Sequence, residues 1–209
     1  MGLLSLGRAS IDHIHTKLIK SLMNLMGKKL IKPCTPTYHN LRTHKLSFID
    51  EVNPTMSAAS INLYYRLNEC NRRVNNLEKS LAQILPQFYP FARRYRKEDQ
   101  LVDSSNQGVE FVEVQVDCKL VDIIGLEDLN DLLLLEVGAA NEVIDPITSL
   151  QINKFKCGGI ATATSISHRI ADAASLNTFL YALAKASQES RLNLLSQNLI
   201  LHYIFQVRI

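Results

Sequence analysis

Apolar positions recur along this chain with two periods. Ile11, Ile14, Leu18, Leu22 and Leu25 follow helical spacing and predict one helix over residues 1–26. Pro33 and Pro36 then preclude a regular helix. "LIKPCTPTYHNLRTHKLSFID" reads as an extended segment, a turn and a strand through "HKLSFID", punctuated by Asn53-Pro54. "INLYYRL" alternates and is aromatic, which predicts a strand. Leu77, Leu81 and Leu85 place a helix on "NNLEKSLAQILPQFY", closed near Pro86. "QLVDSSNQGVEFVEVQV" predicts a hairpin with its turn over Ser104 to Gly108 and its second strand carrying Val109, Phe111, Val112 and Val114. "DLNDLLLLEVGAA" reads as a short helix, and "TSLQINKFKC" and "GGIATATSISH" as two strands. Between those strands, Gly158-Gly159 marks either a bulge or a close backbone approach. "ADAASLNTFLYALAKASQES" is Ala-rich, with Leu176, Phe179, Leu180 and Leu183 at helical spacing, and predicts a helix. Strands and helices intermix, so a layered α/β or α+β domain is expected.

Composition narrows the class without deciding the chemistry. The 209 residues suffice for one sizeable core, and 46% hydrophobic with 21% charged residues is ordinary for a soluble globular protein. A net charge of +3 is too small to imply a nucleic-acid partner. The four cysteines, Cys34, Cys70, Cys118 and Cys157, are scattered without C-x-x-C spacing or clustered histidines, so no metal site is expected and the thiols are expected to be reduced. No window reaches the run of ~18 apolar residues of a transmembrane helix. "MGLLSLGRAS" lacks the features of a signal peptide, and Leu6 stands where N-myristoylation requires Ser or Thr. The expectation is a cytoplasmic protein with no membrane partner. One asymmetry remains: up to Ile49 the only acid is Asp12. A basic amphipathic N-terminus fits a transit segment or a membrane-surface helix, but an ordinary surface helix with a solvated basic face is the simpler reading.

The stretch that carries chemistry is "CGGIATATSISHRIADAASLNTFL". An apolar strand ends at a histidine, His168, and an aspartate, Asp172, follows four residues on at the start of a helix. Turns between a strand and a helix carry function because the scaffold holds them while solvent reaches them. An imidazole titrates near pH ~6.5 and suits proton transfer at neutral pH. An alcohol or amine attacking an acyl group must lose a proton, and one imidazole can take it without a nucleophilic serine. Asp172, in the first turn, can accept backbone N–H bonds and fix the loop that carries the imidazole. H-x-x-x-D alone is a weak pattern, since polar residues near helix starts are commonly caps. His13, His15, His39, His44 and His202 show no spacing that calls for a metal or a triad. No G-x-S-x-G elbow, G-x-G-x-x-G or phosphate-binding loop occurs, and Ser167 beside His168 would point to the opposite face of a strand.

Several motifs in order now resemble one family. "KPCTPT" with "LRTHKLSFID", "SLAQILPQFYPFARR", "GVEFVEVQV" and "FKCGGIATATSISHRIADAASLNTFL" are similar to successive segments of the plant BAHD (HxxxD-type) acyltransferases, in the branch resembling vinorine synthase. The resemblance covers roughly residues 28 to 187 and implies the α/β, chloramphenicol-acetyltransferase-like (CoA-dependent acyltransferase) fold, of which this chain holds the N-terminal one of two domains. The implied organisation is an N-terminal helical extension over 1–26, the acyltransferase domain over 27–187 and a divergent apolar tail over 188–209. The resemblance further implies acyl transfer from an acyl-CoA co-substrate to a hydroxyl or amine of a plant specialised metabolite, with no bound cofactor. His168 would be the general base. Asp172 would be structural, paired with an arginine of the second domain. Family members are usually monomeric.

The chain departs from the pattern in three places. Arg93 replaces a glycine of the family signature, which is expected to strain a turn. The Asp-Phe-Gly-Trp-Gly motif of the second domain is absent, in keeping with zero Trp. Beyond about Ser187 the resemblance fades into "RLNLLSQNLILHYIFQVRI". These departures read as a truncated product with weakened activity, whose uncovered apolar face favours self-association. Two alternatives stand beside the acyltransferase reading. One is a non-catalytic fragment or pseudogene product acting as a binding or regulatory partner. The other is a peptide-synthesis condensation domain, disfavoured because Ser167 replaces the first His and Ala173 the Gly of its His-His-x-x-x-Asp-Gly motif.

Overall fold

The computed structural model describes residues 20–36, 43–45, 57–64, 70–96, 101–103, 107–123, 146–167, 171–189 and 201–207. Nine strands and two α-helices occur among them. The strands are β1 (Met23–Ile31), β2 (Thr43–Lys45), β3 (Ser57–Tyr64), β4 (Arg94–Arg96), β5 (Leu101–Asp103), β6 (Val109–Val116), β7 (Thr148–Phe155), β8 (Ile160–Ser167) and β9 (Leu201–Val207), and the helices are α1 (Cys70–Ile84) and α2 (Ala173–Glu189). Six strands form a mixed sheet in the order β1-β6-β7-β8-β3-β9, and three form a small sheet in the order β2-β5-β4. Only β6 and β7 run parallel in the larger sheet; its other neighbours are antiparallel.

The helix expected over residues 1–26 gives way to strand at Met23; residues 1–19 lie outside the described residues. β1 pairs with β6 from Met23↔Val116 to Ile31↔Val109, with a register shift between Leu25 and Gly27. Glycine is a poor helix former and tolerates such a shift. Ion pairs on both faces favour strand: Lys28 with Glu110, and Lys29 with Glu78 of α1 at 2.7 Å. The helical periodicity of Leu22 and Leu25 loses to this long-range pairing.

The predicted hairpin over residues 100–116 is also corrected. β5 joins the small sheet between β2 and β4, whereas both edges of β6 are taken in the large sheet, by β1 and β7. The crossing is fixed at Gly108. Its φ of 96° lies in the left-handed region, and a Cβ there would stand 2.5 Å from the Ile31 carbonyl oxygen. The Gly108 amide donates to the Ala92 carbonyl at 3.2 Å, which ties this bend to the end of a 3₁₀ turn (Tyr89–Ala92) rather than to β5.

β3, α1, β7, β8 and α2 follow the sequence reading, whereas β4 and β9 fall on stretches for which it predicts no element. "INLYYRL" falls on β3, which begins four residues earlier at Ser57 and runs between β8 and β9. β7 and β8 form an antiparallel hairpin. Its connection closes with Gly158 (φ 80°) donating to Phe155 and Phe155 donating to Gly159. Gly158 thus fills the left-handed position of a short hairpin loop, and Gly159 is a close approach, where a Cβ would meet the Leu120 side chain at 3.0 Å. The short helix expected at "DLNDLLLLEVGAA" lies outside the described residues.

Both helices cover one face of the large sheet. Val74, Leu81 and Ile84 of α1 and Leu176, Phe179, Leu180 and Leu183 of α2 pack with Val109, Phe111, Leu150, Ile152, Ile160 and Ile166 of the central strands. The opposite face of β6, β7 and β8 is buried as well: Val112, Val114, Ser149, Gln151, Asn153, Ala161, Ala163, Ser165 and Ser167 are all nearly inaccessible. Burial on both faces explains why β8 reads as a continuous run of small and apolar residues rather than an alternation.

Candidate active site

The candidate site grows from the end of β8. This strand lies inside the sheet between β7 and β3 and is buried along its whole length. Ser167, its last residue, donates its amide to the Ile147 carbonyl at 2.9 Å and is itself buried. His168, the proposed base, lies outside the described residues, which resume at Ala171. The ends of this three-residue interval are brought together, because the Ala171 amide donates to the Ser167 carbonyl at 3.4 Å. A buried strand end and the start of α2 therefore stand on either side of the interval.

Asp172 sits at the N-cap of α2. Its Oδ1 accepts the Ser175 amide at 2.8 Å, and its carbonyl accepts the Leu176 amide at 3.0 Å. The first satisfies a donor that an α-helix leaves open at its first turn, the second is the first regular bond of the helix, and the carboxylate complements the positive end of the helix dipole. The helix continues because Leu176, Phe179, Leu180 and Leu183 bury one stripe against the core while Ala174, Tyr181 and Lys185 face solvent. The Asp172 carboxylate is thus engaged by its own helix, three residues from its Cα.

The aromatic segment before β4 forms a second fixed point. Arg93 has φ −93° and ψ 176°, extended backbone open to any residue, so the expected strained turn is not found. Its guanidinium lies over the Tyr89 ring at 4.6 Å, a cation–π contact. Sequence reading missed Arg94. This side chain is buried, and its Nη1 donates to the Gly108 carbonyl at 2.8 Å and the Arg93 carbonyl at 2.9 Å. An isolated bridge joins Arg94 to Pro146, next to the Ile147 that receives the Ser167 amide. Arg94 therefore belongs to the support of the β8 end. No pattern in the sequence singles it out, because Arg94 stands in the basic run Arg93, Arg94, Arg96, Lys97, which reads as a solvated stretch.

Of the remaining sequence candidates, His44 lies in β2 and His202 in β9, while His13, His15 and His39 are outside the described residues. Among the described residues no three His, Cys, Asp or Glu gather in a way that could hold a metal ion. No helix among them is long and apolar enough to cross a membrane.

Comparison with known proteins gives these elements a lineage. The family model described as "Transferase family" matches residues 22–199. The chain is 42% identical over 169 residues to a pelargonidin 3-O-(6-caffeoylglucoside) 5-O-(6-O-malonylglucoside) 4'''-malonyltransferase of Salvia splendens, covering 79% of this chain and 40% of that protein. It is 36% identical to stemmadenine O-acetyltransferase of Catharanthus roseus, covering 80% of this chain and 42% of that protein. Among solved structures it is similar to vinorine synthase, with a TM-score of 0.69 and 31% identity over 81% of this chain and 44% of that one. The chain thus spans about two-fifths of the length of the curated relatives it matches.

Proposed function

The chain belongs to the Transferase family, the plant BAHD acyltransferases, and has the α/β fold of one chloramphenicol-acetyltransferase-like domain; from that premise we propose that it serves acyl transfer from an acyl-CoA thioester to a hydroxyl or amine of a plant specialised metabolite. The observation that carries this reading is the junction of β8 and α2, a buried strand and a capped helix flanking the His168 interval, inside the matched residues. His168 acts as general base. As the acceptor oxygen or nitrogen bonds to the thioester carbonyl carbon, its proton passes to the imidazole. The tetrahedral intermediate then collapses, the carbon–sulfur bond breaks, and the imidazolium returns the proton to the departing CoA thiolate. Asp172 is structural, since its carboxylate serves the first turn of α2. The thioester arrives activated, so the reaction needs no resident cofactor or metal, and acyl-CoA enters as co-substrate. Small-molecule acceptors, a cytoplasmic setting, and neither nucleic-acid nor membrane partners complete the proposal.

The test is direct. The full chain is incubated with acetyl-CoA or malonyl-CoA and a panel of hydroxylated acceptors, and release of free CoA thiol is followed. Acceptor-dependent release that falls about 10²-fold or more in His168→Ala supports the assignment. Unchanged turnover in that variant removes His168 as the base. CoA binding without any turnover would instead favour the non-catalytic binding reading.

A further inference from the structure

Two cysteines that the acyl-transfer reading leaves unused lie together at the other end of β8, away from Ser167. Beyond Val116 the chain bends at Asp117-Cys118, and the Cys118 carbonyl accepts the Lys156 amide at 3.1 Å. Cys157 follows Lys156 directly. Its Sγ folds back over the same segment and accepts the Leu120 amide at 3.3 Å. The left-handed Gly158 turns the chain here, and Gly159 lies so close that a Cβ on it would stand 3.4 Å from the Cys157 Sγ. The two thiols are therefore carried by backbone segments in hydrogen-bond contact, the kind of juxtaposition that a disulfide between them requires. Cys157 is exposed and Cys118 half-buried.

We propose that Cys118 and Cys157 are a peroxide-oxidisable dithiol that closes to an intramolecular disulfide. The exposed Cys157 reacts first. Its thiolate attacks one oxygen of hydrogen peroxide, the O–O bond breaks, and hydroxide leaves to become water, giving a sulfenic acid. The Cys118 thiolate then attacks the Cys157 sulfur; the S–S bond forms, the S–O bond breaks, and the second hydroxide takes up the proton lost by Cys118. Two thiols give up two electrons in all, and the peroxide O–O bond receives them. Burial above all, then Asp122, Cys157 and Asp117, push the Cys118 thiol up, against an opposing contribution from Lys156, so the thiolate that closes the bridge becomes more abundant as pH rises. The closed bridge would clamp the exit of β6 to the β7–β8 turn, leaving the His168 end of the sheet untouched.

The experiment is peroxide treatment of the full chain without reductant, followed by non-reducing peptide mass mapping. The expected product is a cross-linked pair of peptides holding Cys118 and Cys157, lighter by two hydrogens, reversed by a thiol reductant, and formed several-fold faster as pH rises from about 7 to about 9. Cys157→Ser keeps a hydroxyl to accept the Leu120 amide and should abolish the cross-link. Cys118→Ser should leave a sulfenic acid at Cys157 that dimedone traps. The proposal is overturned if Cys157 proceeds to sulfinic acid, pairs with Cys34 or joins a second chain while Cys118 stays a free thiol, or if neither cysteine is oxidised.

Discussion

At the scale of single residues, the cap on α2 shows what a sequence carries outright. Asp172 precedes an Ala-rich helical run, and an aspartate in that place has a donor to satisfy whatever the rest of the fold does. Its bond from the Ser175 amide is local and was legible. We predict that Asp172→Ala lowers unfolding free energy by about 1 kcal/mol, and that Asp172→Asn lowers it much less, because asparagine caps nearly as well. Urea denaturation of the three proteins measures this, and equal losses in both variants would count against a capping role. Arg94 is the opposite case. Its partners, the carbonyls of Arg93 and Gly108, are backbone groups that no residue pattern advertises. Arg94→Lys should cost about 2 kcal/mol, since a compact ammonium cannot reproduce the fork of a buried guanidinium and leaves carbonyls underserved. A Lys variant as stable as the parent would show that these bonds contribute little.

At the scale of elements, the two described helices and the places of several strands were readable, and the pairings of the strands were not. The sequence places strands on either side of Gly158-Gly159 and reads the pair as a bulge or a close approach; only the structure makes Gly158 the left-handed position of a hairpin loop, which demands glycine. The hairpin expected at Gly108 failed for a related reason. The glycine is real and its φ is positive, but it serves a crossing between two sheets, which only the pairings of β5 and β6 reveal. β1 failed because a periodic run of leucines says nothing of a partner strand about ninety residues away in sequence. The docking of α2 is clearer. Phe179 stacks on Phe91 at 4.5 Å between ring centroids and meets Phe88 edge-on at 5.4 Å, so the helix is anchored to the aromatic segment that also positions Arg93 and Arg94. Phe179 is fully buried, and Phe179→Ala should cost roughly 3–5 kcal/mol through lost burial and a residual cavity. The measurement is the unfolding midpoint in urea. A loss below about 1 kcal/mol would mean that the site collapses freely and that the trio is not an anchor.

At the scale of the whole molecule, the large sheet gathers both chemistries proposed here at its two ends, the His168 interval beyond Ser167 and the cysteine pair at the β7–β8 turn. The family motifs made the first end visible in the sequence; the second depends on β6 and β7 running parallel, which brings Cys118 beside Cys157. The thiols also give global stability a defined pH dependence. Cys70 is raised chiefly by burial, with Lys154 opposing and Glu113 reinforcing, and Cys118 is raised by burial and its acidic neighbours. A thiol raised in the folded state ionises first in the unfolded chain. Below the ordinary thiol value of about 8.5 both states hold the proton and the stabilising contribution is complete. As pH climbs past that value the unfolded chain sheds protons that the folded chain keeps, so stability falls until the folded thiols ionise too. Lysines and tyrosines titrate in the same window, so the comparison must be with a variant lacking these thiols. Under reducing conditions, the parent should lose stability between about pH 8 and about pH 10 more steeply than Cys70→Ala/Cys118→Ala. Denaturant midpoints across that range decide it: parallel curves would mean that neither thiol is coupled to folding, and that burial at these positions is too slight to hold the proton.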